Sequence, residues 1–177
     1  MTAISIDHFI NKKRETKKAL AKKMGFSHKK ALLGIFLDKE LDKNQEENLK
    51  VLLDGFLHLN IAVIVLADSN LELFRNKNVV LLPYNRINRR IMLEASDMAL
   101  AMQFNDVEEM LLSGVIPVSL KRGELSDYDP NHETGNSFIY TEENTWSQFA
   151  ALVRAVETFK FPYDWKHIVR EGISTMK

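Results

Sequence analysis

The 177-residue sequence contains no cysteine. Disulfides, thiolate nucleophiles and thiolate metal sites are therefore excluded, and the chain suits a reducing compartment. Net charge is also absent, because 24 acidic side chains balance 24 basic ones. No global field draws the protein to nucleic acid or to an anionic membrane. No apolar run approaches the roughly 20 residues that a membrane span needs. The amino terminus, MTAISIDHF, has neither the charged head nor the apolar stretch of a signal peptide. Cytoplasmic residence is the default expectation. Seven glycines is few for a protein that cradles phosphate on a glycine-rich loop, and no GxGxxG, Walker or HExxH pattern occurs. The five histidines, His8, His28, His58, His132 and His167, show no metal-ligand spacing. Neither Ser27-His28 nor the Ser5 and His8 pair has a third partner at the spacing of a hydrolase triad. No metal is expected.

What is present is an ordinary globular composition, 45% apolar and 27% charged. The length suits one domain, residues 1–177, with a core of useful size. Residues 31–37 (ALLGIFL) and 61–67 (IAVIVLA) are continuous apolar strands of the kind buried on both faces. Shorter strands are predicted over 79–82, 97–102, 115–119 and 137–140. Between them lie helical patterns over 7–24, 45–59, 85–95, about 105–113, 144–160 and 164–176. Residues 96–120 read as strand, helix, strand, a βαβ unit with parallel pairing and a right-handed crossover. Asn105 or Asp106 would cap its helix, with Glu108 or Glu109 reaching back to the free amides. Ligands in such sheets sit beyond the carboxyl ends of the strands, which here is the very short loop Gln103–Asp106. In the helix over 144–160, Trp146, Phe149, Val153 and Val156 are expected to face inward. Residues 121–135, rich in Asp, Pro, Asn and Gly, read as a long mobile loop. The first helix carries seven basic residues between Lys12 and Lys23. With no aromatics interleaved, that run reads as a solvated face rather than an anion or nucleic-acid surface. The fold class is α/β: a Rossmann-like, three-layer α/β/α domain around a parallel sheet of about six strands.

Several segments, in order, resemble the carboxy-terminal half of bacterial glycogen synthases and plant starch synthases, the two-domain GT-B glycosyltransferases. The tail GNSFIYTEENTWSQFAALVRAV, followed by PYDWKHIVREGI, is similar to the family's Gly-x-Gly-Phe strand, acidic cap and two Trp-bearing helices. The head NKKRETKKALAKKMGF resembles the Asn-Lys-x-x-Leu-x-x-x-x-Gly-Leu helix that opens that domain. ALLGIFLDKELDKNQEENLKVLL resembles its strand, Ser-Arg-Leu, Gln-Lys-Gly and following helix. The resemblance covers nearly the whole chain and implies a stand-alone GT-B carboxy-terminal half.

The resemblance also implies where a nucleotide-sugar donor would be held, and where this sequence departs. In the family the arginine of Ser-Arg-Leu and the lysine of Gln-Lys-Gly grip the donor's phosphates. Here the arginine position holds Asp38, Lys43 keeps the lysine, and Asn44 replaces the glycine. Two unit charges about 4 Å apart at an effective dielectric near 20 exchange roughly 4 kcal/mol, so Asp38 turns attraction into repulsion. The family's Glu-Pro-Cys-Gly-Leu loop has no counterpart between Phe104 and Val107. Its Thr-Gly-Gly-Leu turn aligns with Arg122-Gly123-Glu124-Leu125. The residual donor-phosphate positions are thus Lys43, Arg122 and Gly123, with no catalytic residue and no cofactor beyond residual ADP or nucleotide-sugar binding. The expectation is a glycogen synthase-like domain with a degenerate site, non-catalytic alone and acting as a binding or scaffold module. Alternatives are a subunit of a split glucosyltransferase and a nucleotide-sugar binding protein. The expected partner is a second copy or a separately encoded amino-terminal half, across a surface lined by Asp38, Lys43, Phe104 and a bare Leu125.

Overall fold

The computed structural model describes residues 6–56, 58–68, 79–102 and 107–176. Strands β1 (Ala31–Leu37), β2 (Ile61–Ala67), β3 (Val79–Pro83), β4 (Met98–Leu100), β5 (Ile116–Leu120) and β6 (Phe138–Tyr140) form one sheet in the order β3-β2-β1-β4-β5-β6. Every pairing is parallel, as predicted. The helices are α1 (Ile6–Met24), α2 (Lys43–Phe56), α3 (Arg86–Ala95), α4 (Val107–Leu112), α5 (Thr145–Phe159) and α6 (Pro162–Thr175). Among the described residues no helix is long and apolar enough to cross a membrane.

Strand alternation sends successive residues to two cores. Leu33, Ile35 and Val63 meet Leu49 of α2, Leu152 of α5 and Ile168 of α6 on one face. Leu32, Phe36 and Ile64 meet Met92 of α3 and Met110 of α4 on the other. Each such fully buried side chain contributes about 1.5–3 kcal/mol of transfer free energy. Helix α1 serves both layers: Ile6, Phe9 and Ile10 pack on the first core and Leu20 lies in the second. It reaches both by passing beneath the amino-terminal ends of β1 and β4, where Lys17 pairs with Asp97.

Local chemistry explains where elements differ from expectation. Helix α2 starts at Lys43, two residues early, because Asp42 and Gln45 form a reciprocal capping box. The Gln45 amide donates to Asp42 Oδ1 (2.9 Å), and the Asp42 amide donates to Gln45 Oε1 (3.3 Å). Asn144 caps α5, accepting the Ser147 amide at 2.8 Å. The inward face of that helix is the predicted one only in part. Trp146 is 84% exposed, whereas Val156 is buried and Phe149 packs half-buried on the first core, beside the unpredicted Gln148, Ala151, Leu152 and Ala155. Small Ala151 and Ala155 let α5 approach the sheet closely, so packing outweighs the size of the indole. Glu109, expected to cap α4, pairs instead with Arg89 of α3 (2.5 Å), and this hydrogen bond holds its carboxyl below the usual range. The capping candidates Asn105 and Asp106, and Leu57 of the predicted helix over 45–59, lie outside the described residues.

Residues 121–136 are not the loose loop their composition suggests. Asn136 knits them together: its Oδ1 accepts the Ser126 amide (2.9 Å) and its Nδ2 donates to the Glu124 carbonyl (3.0 Å). Tyr128 donates its amide to Ser137 O and packs against Phe138. Arg154 of α5 donates to both Asp127 carboxylate oxygens (2.8 and 3.1 Å) and to Ile139 O (2.8 Å). Polar residues that signalled mobility, Asn136 and Asp127 among them, are spent on hydrogen bonds that fasten the segment.

Candidate functional site

Parallel register sets the carboxyl ends of three central strands side by side: Ile35 pairs Leu100, and Leu100 pairs Val118. Beyond them the chain continues into residues 38–43 after β1 and 121–124 after β5. Strands spaced about 4.8 Å apart put the β1 and β5 ends roughly 10 Å apart. One edge therefore collects all the positions singled out in the sequence, Asp38, Lys43, Arg122 and Gly123.

Each is placed by a local feature. Asp38 is half-buried where β1 leaves the core, and Lys43 is exposed as the first residue of α2. Arg122 and Gly123 are exposed in a turn closed by the Leu125 amide donating to Arg122 O (3.0 Å). Gly123 has φ +50°, and a Cβ there would meet nothing within 4 Å. The outer side of this turn is open. Leu125, expected bare, is only 2% exposed and anchors the turn inward. Phe104 and the Gln103–Asp106 loop lie outside the described residues, so the apolar side chains assigned to this surface do not line it in the described part.

Asp42 was not among the sequence candidates, although the Asp-x-x-Gln pattern at 42–45 was there to find. Its carboxylate sits on the Gln45 amide at the start of α2. Helix amino termini carry partial positive charge and orphan amides, the position that an anionic ligand uses. Here the protein's own anion occupies part of it. Across residues 38–43 and 121–124 four acids (Asp38, Glu40, Asp42, Glu124) face four bases (Lys39, Lys43, Lys121, Arg122). The formal charges of these two described segments cancel.

No family model matches the sequence. Glycogen synthase of Gloeobacter violaceus is 26% identical over 186 residues, covering 93% of this chain and 40% of that protein. Glycogen synthase of Syntrophotalea carbinolica is 36% identical over 64 residues, 34% of this chain and 13% of that protein. The chain thus spans two fifths or less of the length of these curated relatives. Among solved structures, the catalytic domain of starch synthase IV from Arabidopsis thaliana, bound to ADP and acarbose, superposes with a TM-score of 0.80 at 19% identity. The match covers 97% of this chain and 40% of that one. The C-terminal domain of a glycosyl transferase group 1 family protein from Francisella tularensis gives 0.62 at 9% identity, over 92% of this chain and 90% of that one. UDP-GlcNAc 2-epimerase from Neisseria meningitidis, bound to UDP-GlcNAc, gives 0.56 at 12% identity, covering 93% and 47%. Both comparisons bear out the resemblance read from the residues: the chain is glycogen synthase-like in sequence and has the Rossmann-like fold of a GT-B half.

Proposed function

We propose that this glycogen synthase-like domain does not transfer glucose by itself and acts as a binding or scaffold module. The observation that carries the reading is the pair of carboxylates at the donor edge, Asp38 half-buried after β1 and Asp42 seated on the start of α2. A donor site of the kind the resemblance implies works by cations and amides converging on a diphosphate, each charge-assisted bond contributing about 1.5–3 kcal/mol. Replacing the arginine by Asp38, one turn glycine by Glu124 and the Glu-Pro-Cys-Gly-Leu loop by an unrelated short one removes roughly 5–9 kcal/mol on that scale. A micromolar site has only about 8 kcal/mol in all. Residual contacts fall to Lys43, Arg122 and the Gly123 backbone.

A second reading, one half of a split glucosyltransferase, is favoured by the retained Lys43. On that reading the working cleft forms only against a complementary half, since transfer needs a dry, enclosed site with donors aimed at the leaving diphosphate. The deciding experiment measures radiolabelled glucose incorporation into glycogen from ADP-glucose and UDP-glucose. No incorporation above a no-protein control is expected. Turnover that Lys43→Ala abolishes would overturn the non-catalytic reading.

A further inference from the structure

At the opposite edge of the sheet, α1 and the first turns of α6 enclose a cleft of about 730 Å³, a volume suited to one small molecule. Six basic side chains line it, Lys13, Arg14, Lys17 and Lys18 from α1 with Lys29 and Lys166, against three carboxylates, Asp7, Glu15 and Asp97. Two of those carboxylates are already engaged. Asp97 pairs with Lys17 and Asp7 with Lys166, each at 2.5 Å. Arg14, Lys18 and Lys29 are exposed and form no ion pair with a described residue.

Aromatic rings complete the wall. Phe159, Tyr163 and Trp165 line the same cleft. Tyr163 is largely exposed, Phe159 stands edge-on to Trp165 at 5.1 Å, and Lys17 Nζ lies 5.0 Å from the Phe159 centroid. The basic run of α1 looked like a solvated face because no aromatics interleave it. The fold supplies them from α5 and α6, more than a hundred residues further along the chain. Deeper in, Lys13 donates to Leu93 O (2.9 Å) in the last turn of α3 and to Ser113 O (3.0 Å) just after α4. Asp97 pairs with Lys17 and, together with Glu94 of α3, acts electrostatically on Lys13. Burial brings the Lys13 pKa down to about 7, Asp97 and Glu94 oppose that, and Lys17 adds to it. Positive charge is thus under-compensated beside a flat apolar wall.

We infer that the cleft between α1 and α6 binds a small phosphorylated aromatic molecule, phosphate on the α1 cations and ring against Tyr163 and Phe159. Cation and ring face each other already in the Lys17 contact, and a ligand ring extends that arrangement. The phosphate supplies the negative charge that Arg14, Lys18 and Lys29 lack. This inference is independent of the donor-edge reading, since the two sites lie at opposite ends of the strands.

The test uses Trp165 fluorescence in a Trp146→Phe background, where Trp165 is the remaining one of two tryptophans. Adenosine 5′-monophosphate and pyridoxal 5′-phosphate separate the two sources of such a ligand, and inorganic phosphate isolates the charge. Saturable change is expected with at least one ring phosphate below about 1 mM, and at least about tenfold more weakly with phosphate alone. Arg14→Glu with Lys18→Glu, both exposed, should weaken binding by about tenfold or more. Affinity should fall above about pH 7 as Lys13 loses its proton, and Lys13→Met should abolish that fall. No saturable change with either ring phosphate, or binding indifferent to the Arg14 and Lys18 reversals, overturns the inference. A signal lost with Lys43→Ala instead would place the ligand at the donor edge and overturn it equally.

Discussion

Lys17 Nζ lies 2.5 Å from Asp97 Oδ2 with both side chains largely buried, and the same oxygen accepts the Leu32 amide at 2.7 Å. The Asp97 amide in turn donates to Leu32 O at 3.0 Å. One residue thus ties α1, the start of β1 and the start of β4 at a single point. Removing one member of a buried pair strands the other charge, at a cost of about 3–5 kcal/mol.

Asp97→Asn is therefore expected to lower the unfolding free energy by about 3 kcal/mol or more in urea titrations. Lys17→Met combined with Asp97→Asn should cost less than the two single changes added together. A single-mutant loss under about 1 kcal/mol would show that the pair behaves like a surface salt bridge.

Lys13 predicts a pH dependence with a definite sign. Its folded pKa is lowered by burial to about 7, against 10.5 for the free side chain. Between those values the unfolded chain holds a proton that the folded chain has released, so stability rises with pH across the window. Below about pH 7 both states are protonated and the penalty for burying the charge is fully felt. The urea midpoint should climb between about pH 7 and pH 10 by an amount equivalent to a few kcal/mol at most. In Lys13→Met that climb should flatten; an identical profile in both proteins would contradict the assignment.

Two glycines with positive φ should respond very differently to a methyl group. At Gly135, with φ +107°, a Cβ would stand 2.4 Å from the Asp127 carbonyl oxygen and 2.7 Å from Tyr128 Cα, both backbone. At Gly123 it would meet open space. Gly135→Ala should cost more than about 3 kcal/mol, because strain and clash add. Gly123→Ala should cost about 1 kcal/mol from backbone conformation alone. Thermal unfolding of the two variants side by side decides it, and equal losses would refute the contrast.

At the donor edge, ADP is expected to bind no tighter than about millimolar. Reversing Asp38 to Arg replaces repulsion by attraction; discounted for partial exposure, this should tighten ADP by about tenfold in calorimetric titration. Glucose transfer should remain absent. An ADP affinity unmoved by Asp38→Arg would mean that this carboxylate does not face the ligand.

The sheet was legible because its strands are buried on both faces and so announce themselves as unbroken apolar runs, as ALLGIFL and IAVIVLA do. The helix ends were legible where a side chain caps them, as at Asn85 and Asn144. What the residues alone did not reveal depends on partners distant in the chain. Trp146 reads as core by size, yet α5 docks through its alanines. Lys13 and Lys17 read as solvent-facing, yet the ends of α3 and α4 and Asp97 take them in. The loop after β5 reads as mobile because the service of Asn136 and Arg154 to it is invisible in composition. At the donor edge the positions could be named through resemblance, but the seat of the Asp42 carboxylate on the α2 terminus is set by the local backbone.

The strap made by α1 also orders events during synthesis. Strands β1, β2 and β3 can pair as they emerge, whereas β1 meets β4 in only three register pairs, the first joining Leu33 to Met98. Helix α1 leaves the ribosome well before the groups that hold it, Leu93, Asp97, Ser113 and Phe159. Within this domain an early segment is thus fastened late. Contacts closed after the rate-limiting step act on unfolding and leave the folding rate nearly untouched. In stopped-flow measurements, lesions in α1 should accordingly speed the opening of the domain without slowing its formation, making this helix a clasp on lifetime rather than a seed.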